Sequence, residues 1–288
     1  MNIRTLRQGL SENRDAFIAG AVLALFLFPI YWFYITGLKG QAELDAYPPT
    51  LWPHEPTANF LRVLRAVPVA SYLSNSLLIA LGTSLLTMTI GVGASWSLVR
   101  FRSRWVDMLM LVIIILQMLP AALMATPLYV IFSNLGLLDT RLSVVLAASA
   151  KTIPFVIVLL RPSFIKIPKD LVEAASMDRC TGWRLLYYVA FPLVRNAALV
   201  TFVLVFMQSY GEFIFSRSFL QSSDKLPATV GLVVQFFGTF TKDISGAMAF
   251  GAIYLTPILA IFVVVQRHLI SIYQKTDTQT RAGLTKAF

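Results

Sequence analysis

Ile167-Pro-Lys-Asp-Leu-Val-Glu-Ala-Ala-Ser-Met-Asp-Arg-Cys-Thr-Gly-Trp-Arg-Leu-Leu-Tyr-Tyr-Val-Ala-Phe-Pro192 lies between two long apolar runs and carries six charged side chains. That charge keeps it out of lipid, because an ionised group in hydrocarbon is expensive. Its pattern predicts two short helices with a turn between them. Asp170 follows Pro168 and can accept from an open backbone N–H, with Glu173 three residues later in a capping-box-like arrangement. Leu171, Ala174, Ala175 and Met177 put apolar or small atoms on adjoining faces. The pattern breaks near Asp178–Gly182. A second helix is expected to carry Trp183, Leu186, Tyr187 and Ala190 at 3–4-residue spacing, with Pro192 interrupting it.

Outside this stretch the chain reads as membrane-embedded. Of its 288 residues 57% are hydrophobic and 13% charged, and mean hydropathy is +0.72, whereas a globular chain carries about 25% charged residues. The net charge of +10 could suit nucleic acid. In so apolar a chain it fits basic loops facing a cytoplasm and anionic lipid, and no nucleic-acid partner is expected. Cys180, the lone cysteine, forms no internal disulfide and reads as a plain small side chain in the loop.

Six spans are expected, giving an all-α membrane fold. The first, residues 16–36, is long enough for about 30 Å of hydrocarbon. It ends in Tyr31, Trp32 and Tyr34, an aromatic belt and not a cleavage site, so it is read as retained behind a cytoplasmic tail of residues 1–15. Prolines mark residues 37–69 as an ordered or semi-extended external loop. A core over 70–268 then holds five spans. The second (70–99) has small faces at Gly82, Gly91, Gly93, Ala94 and Ser95 and closes on Arg100, Arg102 and Arg104. The third (105–132) is expected to kink at Pro120 and Pro127. The fourth (142–160) contains Pro154 and precedes the loop 162–192. The fifth covers 193–215, a mixed external segment runs 216–245, and the sixth (246–265) carries the small pair Ala247 and Gly251. Residues 269–288 form a second tail. On this topology sixteen basic residues lie on the side of the Glu173 loop and seven, Lys242 among them, on the other. The loop and both termini are therefore placed in the cytoplasm.

Several kinds of chemistry are missing. There is no Gly-x-x-x-x-Gly-Lys-Ser/Thr phosphate loop and no His-Glu-x-x-His, and the two histidines, His54 and His268, are far apart in sequence. No catalytic role, metal or cofactor is expected in this chain. Lys151 and Glu212 are the ionisable residues clearly inside spans. Lys151 either faces a translocation cavity, favouring an anionic or strongly hydrogen-bonding substrate, or is neutralised by Glu212 or by a carbonyl freed at Pro154. Gln117, Asn75, Gln208 and Tyr210 either line a solute path or bond between helices.

The central stretch resembles the EAA signature of type I ABC importer permeases: Glu-Ala-Ala, three residues, Gly, nine residues, Ile, one residue, Leu-Pro. Glu173-Ala174-Ala175 and Pro192 hold that separation and Asp178 stands where the family has Asp. Val189 and Phe191 keep apolar bulk at the Ile and Leu positions. Arg179 replaces the glycine, and Gly182 is expected to take over its freedom. The resemblance extends over roughly residues 70–270. It is closest to the carbohydrate-uptake branch, and to the second permease of maltose-type or glycerol-phosphate-type importers. Asn75-Ser76, Leu135-Gly-Leu-Leu-Asp139, Ile153-Pro-Phe155, Ile167-Pro-Lys-Asp170 and Leu226-Pro227 carry it. Such permeases often have Trp-Asn-Glu-Phe where this chain has Tyr210-Gly211-Glu212-Phe213.

The resemblance implies a permease for a sugar, glycoside or polyol, paired with a homologous second permease and with an ABC ATPase dimer that holds the ATP and Mg. An extracytoplasmic solute-binding protein would dock on the long outer segments. Glu173 would anchor the loop in an ATPase groove, Ala174 and Ala175 would allow close approach, and Leu171, Met177 and Trp183 would fill apolar hollows. Three other readings set the scale. An amphipathic loop on the lipid surface would use the same faces. An ion-gradient-driven secondary transporter calls for more buried carboxylates and paired broken helices in two halves. A non-transporting scaffold makes no demand on Glu173.

Overall fold

The computed structural model describes residues 3–54, 56, 58–101, 103–238 and 243–285. Arg102, Lys242 and the last basic residue of the tail, Lys286, lie outside them. In chain order the helices are α1 (Ile3–Leu38), α2 (Gln41–Leu44), α3 (Asn59–Ala66), α4 (Val69–Arg100), α5 (Arg104–Gln117), α6 (Ala121–Asn134), α7 (Arg141–Ile165), α8 (Lys169–Met177), the single turn α9 (Trp183–Leu185), α10 (Phe191–Tyr210), α11 (Ile214–Phe219), α12 (Ala228–Phe236) and α13 (Ile244–Thr285). Five helical stretches are long and apolar enough to cross a bilayer: Ala16–Leu38, Val69–Arg100, Arg141–Ile165, Trp183–Tyr210 and Ile244–Val264. Helices α5 and α6 supply a sixth apolar stretch, bent by 96°.

The bend falls at one of the two kinks expected in the third span. The break lies at Met118–Pro120, with Pro120 as the N-cap of α6, while Pro127 sits inside α6 without ending it. Pro120 has no N–H to give back to α5 and restricts Leu119 to extended backbone. At 14 residues each, the two halves are about 21 Å long, short of the thickness of the hydrocarbon. The helix of the first span begins at Ile3, and α13 continues helically to Thr285.

The chain divides into two compact units. The first takes the residues up to Val69 and those from Leu232 onward. Here α1 packs along α13. A Cβ on Gly37 would stand 2.9 Å from the Ala249 backbone, so this approach needs a glycine there, and one on Gly251 would stand 3.2 Å from Phe33, whose ring would have to give slightly. Tyr34 Oη and Thr256 Oγ1 share a hydrogen bond of 2.8 Å. The described residues of the loop after α1 are held by side-chain contacts. Asn59 Nδ2 donates to the carbonyls of Gly37 and Lys39 at 3.2 and 2.9 Å, satisfying the end of α1. Lys39, buried, lies 4.5 Å over the Trp32 ring and donates to the Thr50 carbonyl. Arg62 pairs with Asp243 at 2.8 Å.

The second unit spans Ala70–Gly231. Its centre is the α4–α7 contact, made through the small faces anticipated for the second span. A Cβ on Gly91 would lie 2.4 Å from Val156, and one on Gly82 3.2 Å from Val145. Thr87 and Thr152 hydroxyls meet at 3.0 Å. Trp96, Val156, Leu160, Phe164, Val172, Leu185, Leu186 and Val194 continue this into one apolar core. Helix α6 packs against α11, with Phe132 and Phe219 edge to face at 5.3 Å.

Candidate functional site

Helix α8 has the length expected of the first short helix, but its N-cap is Pro168 and no side chain caps it. The capping box of Asp170 and Glu173 does not form. Pro168 already fixes the entry, leaving Asp170 in the first turn, where its charge opposes the helix dipole. The far end closes as a Schellman motif: Cys180 N–H donates to the Ala175 carbonyl at 3.0 Å and Arg179 N–H to that of Ser176 at 3.1 Å. That closure puts Arg179 at φ +56°, left-handed backbone that favours glycine. Gly182 does not relieve it. It has its own positive φ, 58° with ψ −127°, and makes the second half of the turn. Cys180 packs against the core.

The expected second helix does not end at Pro192. Trp183–Leu185 leads into one π-helical turn, Leu186–Ala190, which joins α10 directly. Phe191 N–H reaches the Leu186 carbonyl five residues back. The wide turn accommodates a proline whose ring and missing N–H would break a regular α-helix. The fifth span is therefore Trp183–Tyr210 in place of 193–215.

The hairpin has a buried and an exposed side. Val172, Leu185 and Leu186 point into the core, whereas Leu171, Met177 and Trp183 are 48%, 85% and 76% exposed. Glu173, Ala174, Asp178 and Gly182 are exposed as well, and Ala175 is half-buried. The Trp183 ring rests on Gly93 of α4, 3.2 Å from where a Cβ would stand. Glu173 borders a hollow of about 440 Å³ that Arg100, Arg161, Lys169 and Asp107 also line.

Three of the six polar residues singled out in the spans meet at a second cavity, of about 240 Å³. Lys151 from α7, Gln208 from the end of α10 and Glu212 from the turn after it line it, together with Ser209 and Thr152. The Glu212 carboxylate accepts from Phe215 N–H at 2.7 Å, Ser216 N–H at 2.8 Å and Ser216 Oγ at 2.6 Å. It thus satisfies the first turn of α11. Lys151 makes no hydrogen bond or ion pair among the described residues. The other three lie elsewhere. Asn75 is buried and wholly engaged, donating to the Asp224 and Leu226 carbonyls at 2.8 and 2.9 Å and accepting from Arg141 Nε at 2.8 Å. Tyr210 is buried, stacked 6.0 Å from Phe206. Gln117 stands at the α5–α6 break with its side-chain Oε1 buried and unpartnered.

One construction escaped the sequence reading. Asp139, at φ +56°, accepts from Gln221 and Ser222 N–H at 2.9 Å and pairs with Lys225 Nζ at 2.7 Å. Its own N–H donates to the Phe219 carbonyl. This clasp ties the α6–α7 turn to the segment after α11. The Lys225 ammonium and the Ser222 and Gln221 donors hold the carboxyl well below its ordinary range. The Leu135–Asp139 motif points to the turn, but the 86 positions between Asp139 and Lys225 hide the pairing.

A helical chain with an exposed, charged hairpin before its penultimate long apolar stretch has the organisation of a type I ABC importer permease. Residues 88–271 match the family described as binding-protein-dependent transport system inner membrane component, and the chain belongs to that family, a multi-pass component of the inner membrane. The sulfoquinovosyl glycerol transport system permease protein SmoH of Agrobacterium fabrum is 31% identical over 88% of this chain and 90% of its own length. The lactose transport system permease protein LacG of Rhizobium radiobacter is 27% identical, covering 92% and 96%. The diacetylchitobiose uptake system permease protein NgcG of Streptomyces coelicolor is 26% identical, covering 90% and 87%. Among solved structures, a chain of a bacterial ABC transporter involved in the import of the acidic polysaccharide alginate shares the fold, with a TM-score of 0.75 at 19% identity over 93% of this chain and 98% of that one.

Proposed function

We propose that this chain is one of two homologous permease subunits of a saccharide importer, and that the hairpin from Pro168 to Phe191 is its mechanical link to a separate ATPase. The observation that carries this is the exposure of Leu171 and Met177 on a short helix fixed from behind by Val172, and of Trp183 just past the turn that follows it. Exposed apolar anchors on a rigid support are what a partner's groove requires. Glu173 and Asp178 add polar contacts at the rim, and Ala174 and Ala175 let a partner approach the backbone closely. ATP and Mg belong to that partner, so this chain's task is to receive and pass on a displacement. A saccharide cargo rests on the likeness to relatives named for lactose, diacetylchitobiose and sulfoquinovosyl glycerol.

Counting α5 and α6 as one bent crossing gives six spans, with both termini and the hairpin in the cytoplasm, in accord with the excess of basic residues there. A solute-binding protein docks on the opposite side and favours the outward-open state by binding it better. A secondary transporter built on inverted repeats calls for matching broken spans in two halves; among the described residues one such bent pair occurs. The test is co-purification of an ABC ATPase with the wild-type chain and its loss on Glu173→Lys. Retention of the ATPase by that variant, or absence of any ATPase from the wild-type complex, overturns the proposal.

A further inference from the structure

The cavity between α7 and the end of α10 holds an ammonium group without an acceptor. Lys151 is half-buried there, inside a span where a lone charge is expensive and is normally matched. The acid on the same wall is already engaged, because both Glu212 oxygens take hydrogen bonds from Phe215 and Ser216 at 2.6–2.8 Å. Those bonds fix the carboxylate against its own turn and no salt bridge to Lys151 forms among the described residues. Pro154 lies inside α7 and leaves the Ala150 carbonyl without its helical N–H, yet Lys151 makes no hydrogen bond to it among the described residues. A second donor lining the same cavity is also unused: Ser209 is 4% exposed and its Oγ has no partner. Gln208 lines the cavity from the exposed side. A buried hydroxyl and an ammonium left unsatisfied in one small space point to acceptor oxygens supplied from outside the chain.

Resting on the reading of the chain as a saccharide permease, we infer that the cavity around Lys151, Gln208 and Ser209 is a subsite for the acidic group of the transported saccharide. A carboxylate or sulfonate would take a charge-assisted bond from Lys151 and a second bond from Ser209 Oγ. The Gln208 amide would hold a neighbouring hydroxyl. A neutral sugar offers weaker acceptors and leaves the ammonium charge unmatched, so the subsite selects for charge.

The experiment uses the full chain assembled with its partner subunits in lipid nanodiscs, with glucuronate and glucose as probes in saturation-transfer NMR titrations. Glucuronate is expected to bind the wild-type complex more tightly than glucose. Lys151→Met should weaken glucuronate by about 30-fold or more while leaving glucose unmoved, and Lys151→Arg should retain most of the preference. Without probe, Lys151→Met should melt at or above the wild-type temperature, because it removes an unmatched charge. Equal binding of the two probes to the wild type overturns the inference, as does glucuronate binding that survives in the Met variant. A probe-free melt of that variant well below wild type also overturns it, since Lys151 would then have a partner within the protein. None of these failures touches the ATPase partnership, which co-purification tests by itself.

Discussion

Arg179 gives the sharpest quantitative test of the hairpin. It occupies the position after the C-cap of α8 at φ +56°, where a Cβ crowds the backbone by about 1–2 kcal/mol relative to the right-handed region. Arg179→Gly removes that penalty but gives the unfolded turn extra freedom, worth about 0.4–1 kcal/mol in the other direction. The net gain should be about 0.5–1 kcal/mol. Because the two hydrogen bonds from Arg179 and Cys180 N–H close this turn, the gain should appear there. Exchange of the Cys180 amide should slow by about 2- to 5-fold if it proceeds by local opening. Arg179→Ala keeps the strain and should shift exchange little. Gly182→Ala provides the opposite sign. Its Cβ meets nothing within 4 Å, so any loss is purely conformational, about 1–3 kcal/mol for a residue forced into φ +58°, ψ −127°. Unchanged or faster exchange in Arg179→Gly would refute the account of the turn, and so would a neutral Gly182→Ala.

Two further outcomes concern the scaffold, beside those already set for Glu173 and Lys151. The Asp139 carboxyl is depressed in the folded protein by Lys225, Ser222 and Gln221. Its stabilisation is therefore complete above the ordinary carboxylate range and fades as pH falls through that range toward the folded value. Thermal melts between pH 7 and pH 3 should show a decline that Asp139→Asn lacks, the variant melting lower at pH 7; parallel curves would remove the clasp. Gly91→Ala would bring a Cβ to 2.4 Å from Val156 Cγ1, on a side chain whose χ1 is stiff in a helix. It should cost about 1–3 kcal/mol, seen as a lower melting temperature, and Val156→Ala in the same chain should restore most of it.

Much of the architecture was legible because lipid imposes it. Long apolar runs, small residues at Gly82 and Gly91, and a charged loop between spans leave few alternatives. The breaks within spans were less legible. Pro120 and Pro127 look alike in sequence, yet α6 begins after one and runs through the other. Pro192 looks like a terminator until a π turn absorbs it. At the cavity, two charged residues 61 positions apart in the sequence invited pairing. What decided against it was a local competition: Glu212 meets the open N–H groups of the turn that follows it before it can serve a distant cation. The Asp139 clasp and the engagement of Asn75 depend on how a loop folds back, which no periodicity records.

The run from Trp183 to Tyr210 is 28 residues without a break, a rod of about 42 Å at the helical rise. Trp183 stands at one tip and Gln208, beside Lys151, near the other. The rod's one irregularity is the π turn at Leu186–Ala190, and the turn formed by Arg179 and Gly182 stands at its hairpin end. On the proposed coupling, tilting this rod by a few degrees about its hairpin end would sweep the Gln208 end through ångströms, enough to widen or shut the space in which the ammonium lies.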